Sequence, residues 1–267
     1  MFPLIEGEKI TVILPIKGYQ DDHYVFMATS LGTVKKTRLS DFSNPRKAGI
    51  IAVDLNENDF LVGAAITDGQ HDVMLFSDAG KAVRFDENDV RPMGRTARGV
   101  RGMNLGEGHQ VIAMLVAPAE AAEGAQAAVV DADGLAIPSS VLTATENGFG
   151  KRTPIGEYTR HGRGTKGMIA IQTTERNGKV VAAALVSPED QIMLITTGGI
   201  LVRTRVSEIR EMGRATQGVT LINVDEGTRL SGLQRIAESD SDDESDLEDG
   251  EDGDPALDSS PDEAGDA

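Results

Sequence analysis

The 267-residue sequence has no cysteine and no tryptophan, and only seven phenylalanines and three tyrosines. Without cysteine there is no disulfide framework and no thiolate zinc or redox site, which suits a reducing cytosol. So few aromatics leave a core of Val, Ile, Leu, Met and Ala, and few anchors for a protein interface. No apolar run approaches the ~18 residues that a membrane helix needs. Met1 to Pro15 carries acids inside its apolar stretch, so a secretory leader is not expected. Metal-ligand spacing is lacking too: His23, His71, His109 and His161 share none.

Bases are outnumbered, 26 Lys and Arg against 43 Asp and Glu, for a net charge of −17. The excess is concentrated at one end. Residues 238–267 hold 15 acids, no Lys or Arg and almost no large apolar side chain. Such a stretch cannot bury enough surface to offset its ordering entropy, so a disordered acidic tail is expected there. Residues 1–237 keep 28 acids and all 26 bases, a net of −2. Their function depends on where those charges sit.

Internal repetition organises this body. Four segments align on a glycine: Val25 to Gly32, Val73 to Gly80, Val141 to Gly148 and Ile192 to Gly199. The glycines are 48, 68 and 51 residues apart, and the long interval contains an Ala/Glu/Gly/Pro-rich stretch that reads as an inserted loop, 117–140. Four residues past each glycine stands a base (Lys36, Arg84, Arg152, Arg203), and nine past stands an acid (Asp41, Asp89, Glu157, Glu208). A second glycine follows after 17 to 19 residues: Gly49, Gly99, Gly167, Gly218.

Each unit reads as four short strands. An apolar strand meets a tight glycine turn and a basic strand returns. A polar loop leads to the second glycine, then a strand such as Gly49 to Leu55, a turn (Asn177-Gly178 in the third unit) and a last strand such as Phe60 to Ile66. About 50 residues and four strands per unit is the signature of propeller-like blades. The fold class is therefore all-β, with repeats at about 17–66, 67–116, 141–186 and 187–236 in a domain over 1–237. Gly7 to Ile16 resembles the end of a unit (compare Gly106 to Val116), so it is expected to be the tail of a preceding blade, and the chain a fragment.

Charge follows the repeat. The windows 33–49, 81–101, 149–167 and 200–218 hold 20 of the 26 bases and 7 acids, or +13, while the other 161 body residues total −15. Blades set side by side would bring these windows to one height as a basic belt. Such a belt can follow a phosphate backbone without reading bases. The bland alternative for any one pair of bases is a solvated strand face, and fourfold recurrence argues against it. The candidate contacts are Lys35, Lys36, Arg38, Arg46, Lys47, Lys81, Arg84, Arg95, Arg98, Arg101, Lys151, Arg152, Arg163, Lys166, Arg203, Arg205 and Arg214.

The units Thr29-Ser-Leu-Gly-Thr-Val-Lys-Lys-Thr37, Met74 to Phe85, Glu146-Asn-Gly-Phe-Gly-Lys-Arg-Thr153 and Leu201 to Ile209 resemble those of the C-terminal domain of DNA gyrase A. The resemblance covers about residues 3–237 outside the insertion. It implies a β-pinwheel, a disc whose four-stranded blades exchange strands and whose rim wraps double-stranded DNA. It further implies partners, the rest of gyrase A together with gyrase B in a heterotetramer, and a cytoplasmic, nucleoid-associated setting in bacteria with no membrane contact. Negative supercoiling by the whole enzyme would be driven by ATP, with Mg, on other parts, and no cofactor is expected in this domain. The family's heptapeptide of the pattern Q-R-R-G-G-K-G is absent. The loops Arg46 to Gly49, Gly94 to Gly99, Gly162 to Gly167 and Gly213 to Gly218 stand where later blades carry degenerate versions.

Catalysis finds no support. Gly148 to Thr153 and Gly162 to Gly167 lack the glycine spacing, the Lys-Ser/Thr pair and the helix of a phosphate loop. None of Tyr19, Tyr24 or Tyr158 lies in the context of the family's catalytic tyrosine, so no nucleophile and no metal ligand are assigned. The alternatives are the equivalent domain of topoisomerase IV, or a propeller scaffold for protein partners.

Overall fold

The computed structural model describes residues 7–119 and 139–236. Most of the inserted loop expected over 117–140 lies outside them, as does the acidic tail expected over 238–267.

The first repeat supplies β1 (Tyr24–Thr29), β2 (Thr33–Arg38) and β3 (Leu61–Thr67). The second supplies β4 (His71–Ser77), β5 (Lys81–Asp86), β6 (Val100–Arg101) and β7 (Val111–Pro118). The third runs through β8 (Ser140–Thr145), β9 (Phe149–Pro154), β10 (Met168–Ile169) and β11 (Val180–Val186). The fourth holds β12 (Gln191–Thr196), β13 (Leu201–Arg205), β14 (Val219–Thr220) and β15 (Leu230–Ile236). A 3-10 turn follows β2, β5, β9 and β13, and no α-helix occurs among the described residues.

The strands form local hairpins first. The first-turn glycine takes a positive φ, and a Ser or Thr three residues before it tightens the turn. Thr29 Oγ1 accepts the Thr33 N–H at 3.3 Å, and Thr196 Oγ1 accepts that of Ile200 at 3.1 Å. Sheet order then departs from sequence order: β3-β1-β2-β6, β10-β5-β4-β7, β11-β8-β9-β14 and β13-β12-β15. Each of the first three sheets takes its fourth strand from the next repeat. The blades are thus exchanged-strand blades, as the resemblance implied, and the fourth sheet has three strands among the described residues.

Two expectations are corrected here. Gly49 to Leu55 forms no strand, and its counterparts β6, β10 and β14 are two-residue strands that join the preceding repeat's sheet rather than their own. Gly7 to Ile16 also forms no strand. Both segments lack a sheet edge to pair with among the described residues, and an extended chain becomes a strand only when its N–H and C=O groups meet a partner.

Apolar cores lie between blades. In β4, Val73 and Leu75 pack with Phe26, Val34 and Phe85 on one side, while Met74 and Phe76 pack with Val141, Ile155 and Tyr158 on the other. This is the two-residue period of a strand buried on both faces. Phe26 and Phe85 ring centroids stand 6.3 Å apart, and Phe76 meets Tyr158 edge-on at 5.9 Å. Close approach at the junctions requires glycine. A Cβ on Gly80 or Gly148 would lie 2.2 Å from the carbonyl oxygen of Ile171 or Ile222.

Candidate nucleic-acid interface

The base four residues past each first glycine sits on the return strand of its hairpin, beside the next blade. Lys36 of β2 is 2 % exposed and its Nζ lies 2.8 Å from Glu87 Oε2 of the second repeat. It also stands 4.4 Å from the centroid of the Tyr24 ring. Arg84 of β5, also 2 % exposed, grips Asp72 and donates to the Ile155 and Tyr158 carbonyls of the third repeat at 3.2 and 3.1 Å. Arg152 of β9 donates to the Ile209 carbonyl of the fourth at 2.8 Å. Only Arg203, on the last of these strands, is exposed.

Lys35 and Lys151 are buried one residue earlier in their strands. Lys35 donates to the carbonyls of Ala52 and Arg95, and Lys151 to those of Gly213 and Arg214. Burial, with a nearby arginine adding repulsion (Arg95 for Lys35, Arg214 for Lys151), pushes each ammonium down to about 8. Sequence reasoning placed Lys35, Lys36, Arg84 and Lys151 on a surface belt. The structure removes them from it, because their charged ends are committed inside the junctions and cannot reach a phosphate. Half-buried Arg152 is occupied in the same way.

The remaining candidates stay at the surface. Arg38, Arg46, Lys47, Arg98, Arg101, Arg163, Lys166, Arg203 and Arg205 are exposed, and Lys81, Arg95 and Arg214 are half-buried. Three of them share a device. The arginine after the loop glycine reaches back to the outer segment of the preceding repeat: Arg95 to the Ile51 carbonyl, Arg163 to that of Arg101, and Arg214 to that of Ile169, each at 3.1 Å. Neighbouring basic loops are thereby fastened one to the next along the outer strands. Arg98 adds an exposed ion pair to Asp54 at 2.9 Å, and that carboxylate raises its pKa.

Sequence reasoning missed Arg91 and Arg210, exposed bases each eleven residues past a first glycine. Their shared offset was a legible signal. It also omitted Arg160, which ties Asp72 at 2.7 Å from the exposed side. Among the described residues Asp68, His71 and Glu87 could bring ligand atoms within 4.8 Å of one another. The buried Glu87 carboxylate there already accepts the Gly69 and His71 N–H groups at 2.8 and 3.0 Å and pairs with Lys36. The cluster thus serves a junction between repeats.

Comparison with known proteins gives a consistent family. A family model described as DNA gyrase C-terminal domain, beta-propeller, matches residues 23–68, 71–118, 139–187 and 190–237. DNA gyrase A of Salmonella typhimurium (strain LT2) is 50 % identical over 250 residues, covering 94 % of this chain and 26 % of that protein. DNA gyrase A of Pseudomonas aeruginosa is 50 % identical over 247 residues, covering 92 % of this chain and 24 % of that protein. The chain thus spans about a quarter of the length of these relatives. A solved DNA gyrase A C-terminal domain superposes with a TM-score of 0.72 at 28 % identity, covering 88 % of this chain and 72 % of that one. The C-terminal domain of DNA topoisomerase IV superposes with a TM-score of 0.77 at 24 % identity, over 88 % and 68 %, a likeness of fold alone.

Proposed function

The chain belongs to the DNA gyrase C-terminal domain family, and from that premise we propose that it binds double-stranded DNA along the fastened basic loops and bends it without reading sequence. The observation that carries this reading is the row of staples from Arg95, Arg163 and Arg214, which sets exposed bases at successive junctions. Phosphates recur every ~1.7 Å of duplex axis, so bases held at a regular spacing neutralise a backbone whatever its bases. Smoothly bending 20–30 bp by 40–90° costs on the order of 1–6 kcal/mol, which several contacts spread along the outer strands can offset. The contacting set is the exposed one, Arg38, Arg46, Lys47, Arg98, Arg101, Arg163, Lys166, Arg203 and Arg205, joined by Lys81, Arg95, Arg214, Arg91 and Arg210. The domain itself is not catalytic and needs no cofactor. Its partners are the rest of gyrase A together with gyrase B, in the bacterial cytoplasm, and its bound DNA segment serves ATP-dependent negative supercoiling by the whole enzyme.

The test is a salt titration of duplex binding. Arg46, Lys47, Lys166 and Arg205 form no side-chain hydrogen bond or ion pair among the described residues, so replacing all four by Gln leaves the fold alone. The log–log salt slope is expected to fall by roughly 0.9 for each phosphate no longer neutralised, equally for unrelated duplex sequences. An unchanged slope would sink the assignment.

A further inference from the structure

The basic loops at the junctions between repeats are not seated alike. Three residues past the first glycine, the return strands carry Lys35, Val83 and Lys151, and nine past it come Asp41, Asp89 and Glu157. At the first junction Lys35 gives its ammonium to the Ala52 and Arg95 carbonyls. At the middle one Val83 has no ammonium to give. A cavity of about 190 Å³ lies there instead, between Val83, His161, Thr165 and Lys166.

The loop of the fourth repeat, Gly213 to Gly218, is held at both its carbonyls and an N–H. Lys151 Nζ donates to the Gly213 and Arg214 carbonyls. The Gln172 N–H bonds the Thr216 carbonyl at 2.9 Å, and the Asn177 side-chain amide that of Gln217 at 3.0 Å. From the 3-10 turn after β9, Glu157 Oε2 accepts the Arg214 N–H at 3.0 Å. A Cβ on Gly213 would lie 3.7 and 3.9 Å from the two Glu157 carboxylate oxygens, so the carboxylate rests against the loop backbone. Glutamate has one methylene more than Asp41 and Asp89 at the matching positions, and with it a longer reach.

Given the reading of these loops as the DNA-contacting surface, on which this rests, we propose that Glu157 is a positioning residue for duplex binding. It is an acid that strengthens the hold on a polyanion, by seating the loop that carries Arg214. Charge alone predicts the reverse, since an exposed carboxylate beside a phosphate backbone repels it. Geometry outweighs that repulsion. The bond from the Arg214 N–H to a carboxylate is charge-assisted and stronger than a neutral one. It fixes the backbone of the residue whose guanidinium lies on the Ile169 carbonyl at 3.1 Å, among the outer strands. A loop without that bond must be ordered before its arginine meets a phosphate, and the entropy of ordering opposes binding.

Glu157→Gln and Glu157→Ala separate the two effects, because both remove the same charge. Gln keeps an oxygen for the Arg214 N–H, and Ala does not. Duplex affinity and its salt dependence are measured on the whole chain, with urea midpoints to check that both variants are folded. Glu157→Ala is expected to bind more weakly than Glu157→Gln. Its log–log salt slope is expected to be lower by roughly 0.9, for the phosphate lost with Arg214. In an Arg214→Gln background the difference between the two variants is expected to vanish. Glu157→Ala binding as tightly as Glu157→Gln, or more tightly, overturns the assignment, as does a difference that persists without Arg214. A wild-type chain that binds no duplex fails the DNA reading itself, and takes the assignment with it before any variant is compared.

Discussion

Arg84 and Arg98 lie in one repeat, are the same residue type, and share the same positive window. Arg84 has 2 % of its side chain exposed and holds Asp72 and two carbonyls of the next repeat, whereas Arg98 is 70 % exposed and meets one carboxylate at the surface. A charge that recurs with a repeat therefore has two physical origins. On a return strand it faces the next blade, and the repeat needs it there to satisfy the carbonyls of the following 3-10 turn. At Arg98, on the loop, it faces solvent and meets only a surface carboxylate, and no buried group depends on it. The surplus base on the loop is the better sign of a binding surface.

The largest effect that sharpens this comparison is Arg84→Ala. It leaves the Asp72 carboxylate, which is fully buried, with the partly exposed Arg160 guanidinium as its remaining ion-pair partner among the described residues. It also takes the Arg84 donor from the Ile155 and Tyr158 carbonyls, the first of which keeps the Tyr158 N–H. Removing one partner of a buried pair costs on the order of 3–5 kcal/mol. Arg98→Ala removes only an exposed, solvent-screened pair and is expected to leave stability nearly unchanged. Urea unfolding of the two variants measures both, and comparable midpoints would break the distinction.

A middle-sized effect separates a junction glycine from a first-turn glycine with an open neighbourhood. Gly148→Ala and Gly199→Ala both place a side chain at a φ of +81°, which costs roughly 1–2 kcal/mol at either position. At Gly148 the new Cβ also meets the Ile222 carbonyl oxygen at 2.2 Å, and overpacking adds about 1–3 kcal/mol. The difference between the two midpoints reads the junction alone.

The smallest effect is in the acid limb of stability. Burial acts to raise the Glu87 pKa, but hydrogen bonds from His71, Lys36 and Thr67 outweigh it and bring the carboxyl down to about 2. A depressed carboxylate contributes stability above its ordinary value near 4.5, and that contribution is lost as pH falls towards about 2. Glu87→Gln is therefore expected to flatten the stability profile between about pH 4.5 and 2. His71, raised chiefly by its hydrogen bond to Glu87, contributes in the opposite sense: its part is full below 6.5 and fades as pH rises through the raised value. An acid limb identical to wild type in Glu87→Gln would show that this junction does not depend on that charge.

The sequence by itself determined the repeat, the all-β class, the glycine turns and the basic windows, because each is written in local spacing: the strand period, the turn residue, the offset from one glycine to the next. Val73 to Phe76 read as one apolar run of strand length, and Gly80 is needed where its backbone turns. Tertiary structure alone decided which base faces which neighbour. Lys151 and Lys166 read alike as basic residues in one window, yet one is sealed under the Gly213 and Arg214 carbonyls and the other is exposed. The same is true of Gly49 to Leu55, whose counterparts become strands only where the preceding repeat offers an edge. Burial and pairing depend on contacts between residues far apart in the chain, such as the Val180 N–H on the Asp78 carbonyl, and a local pattern carries no record of them.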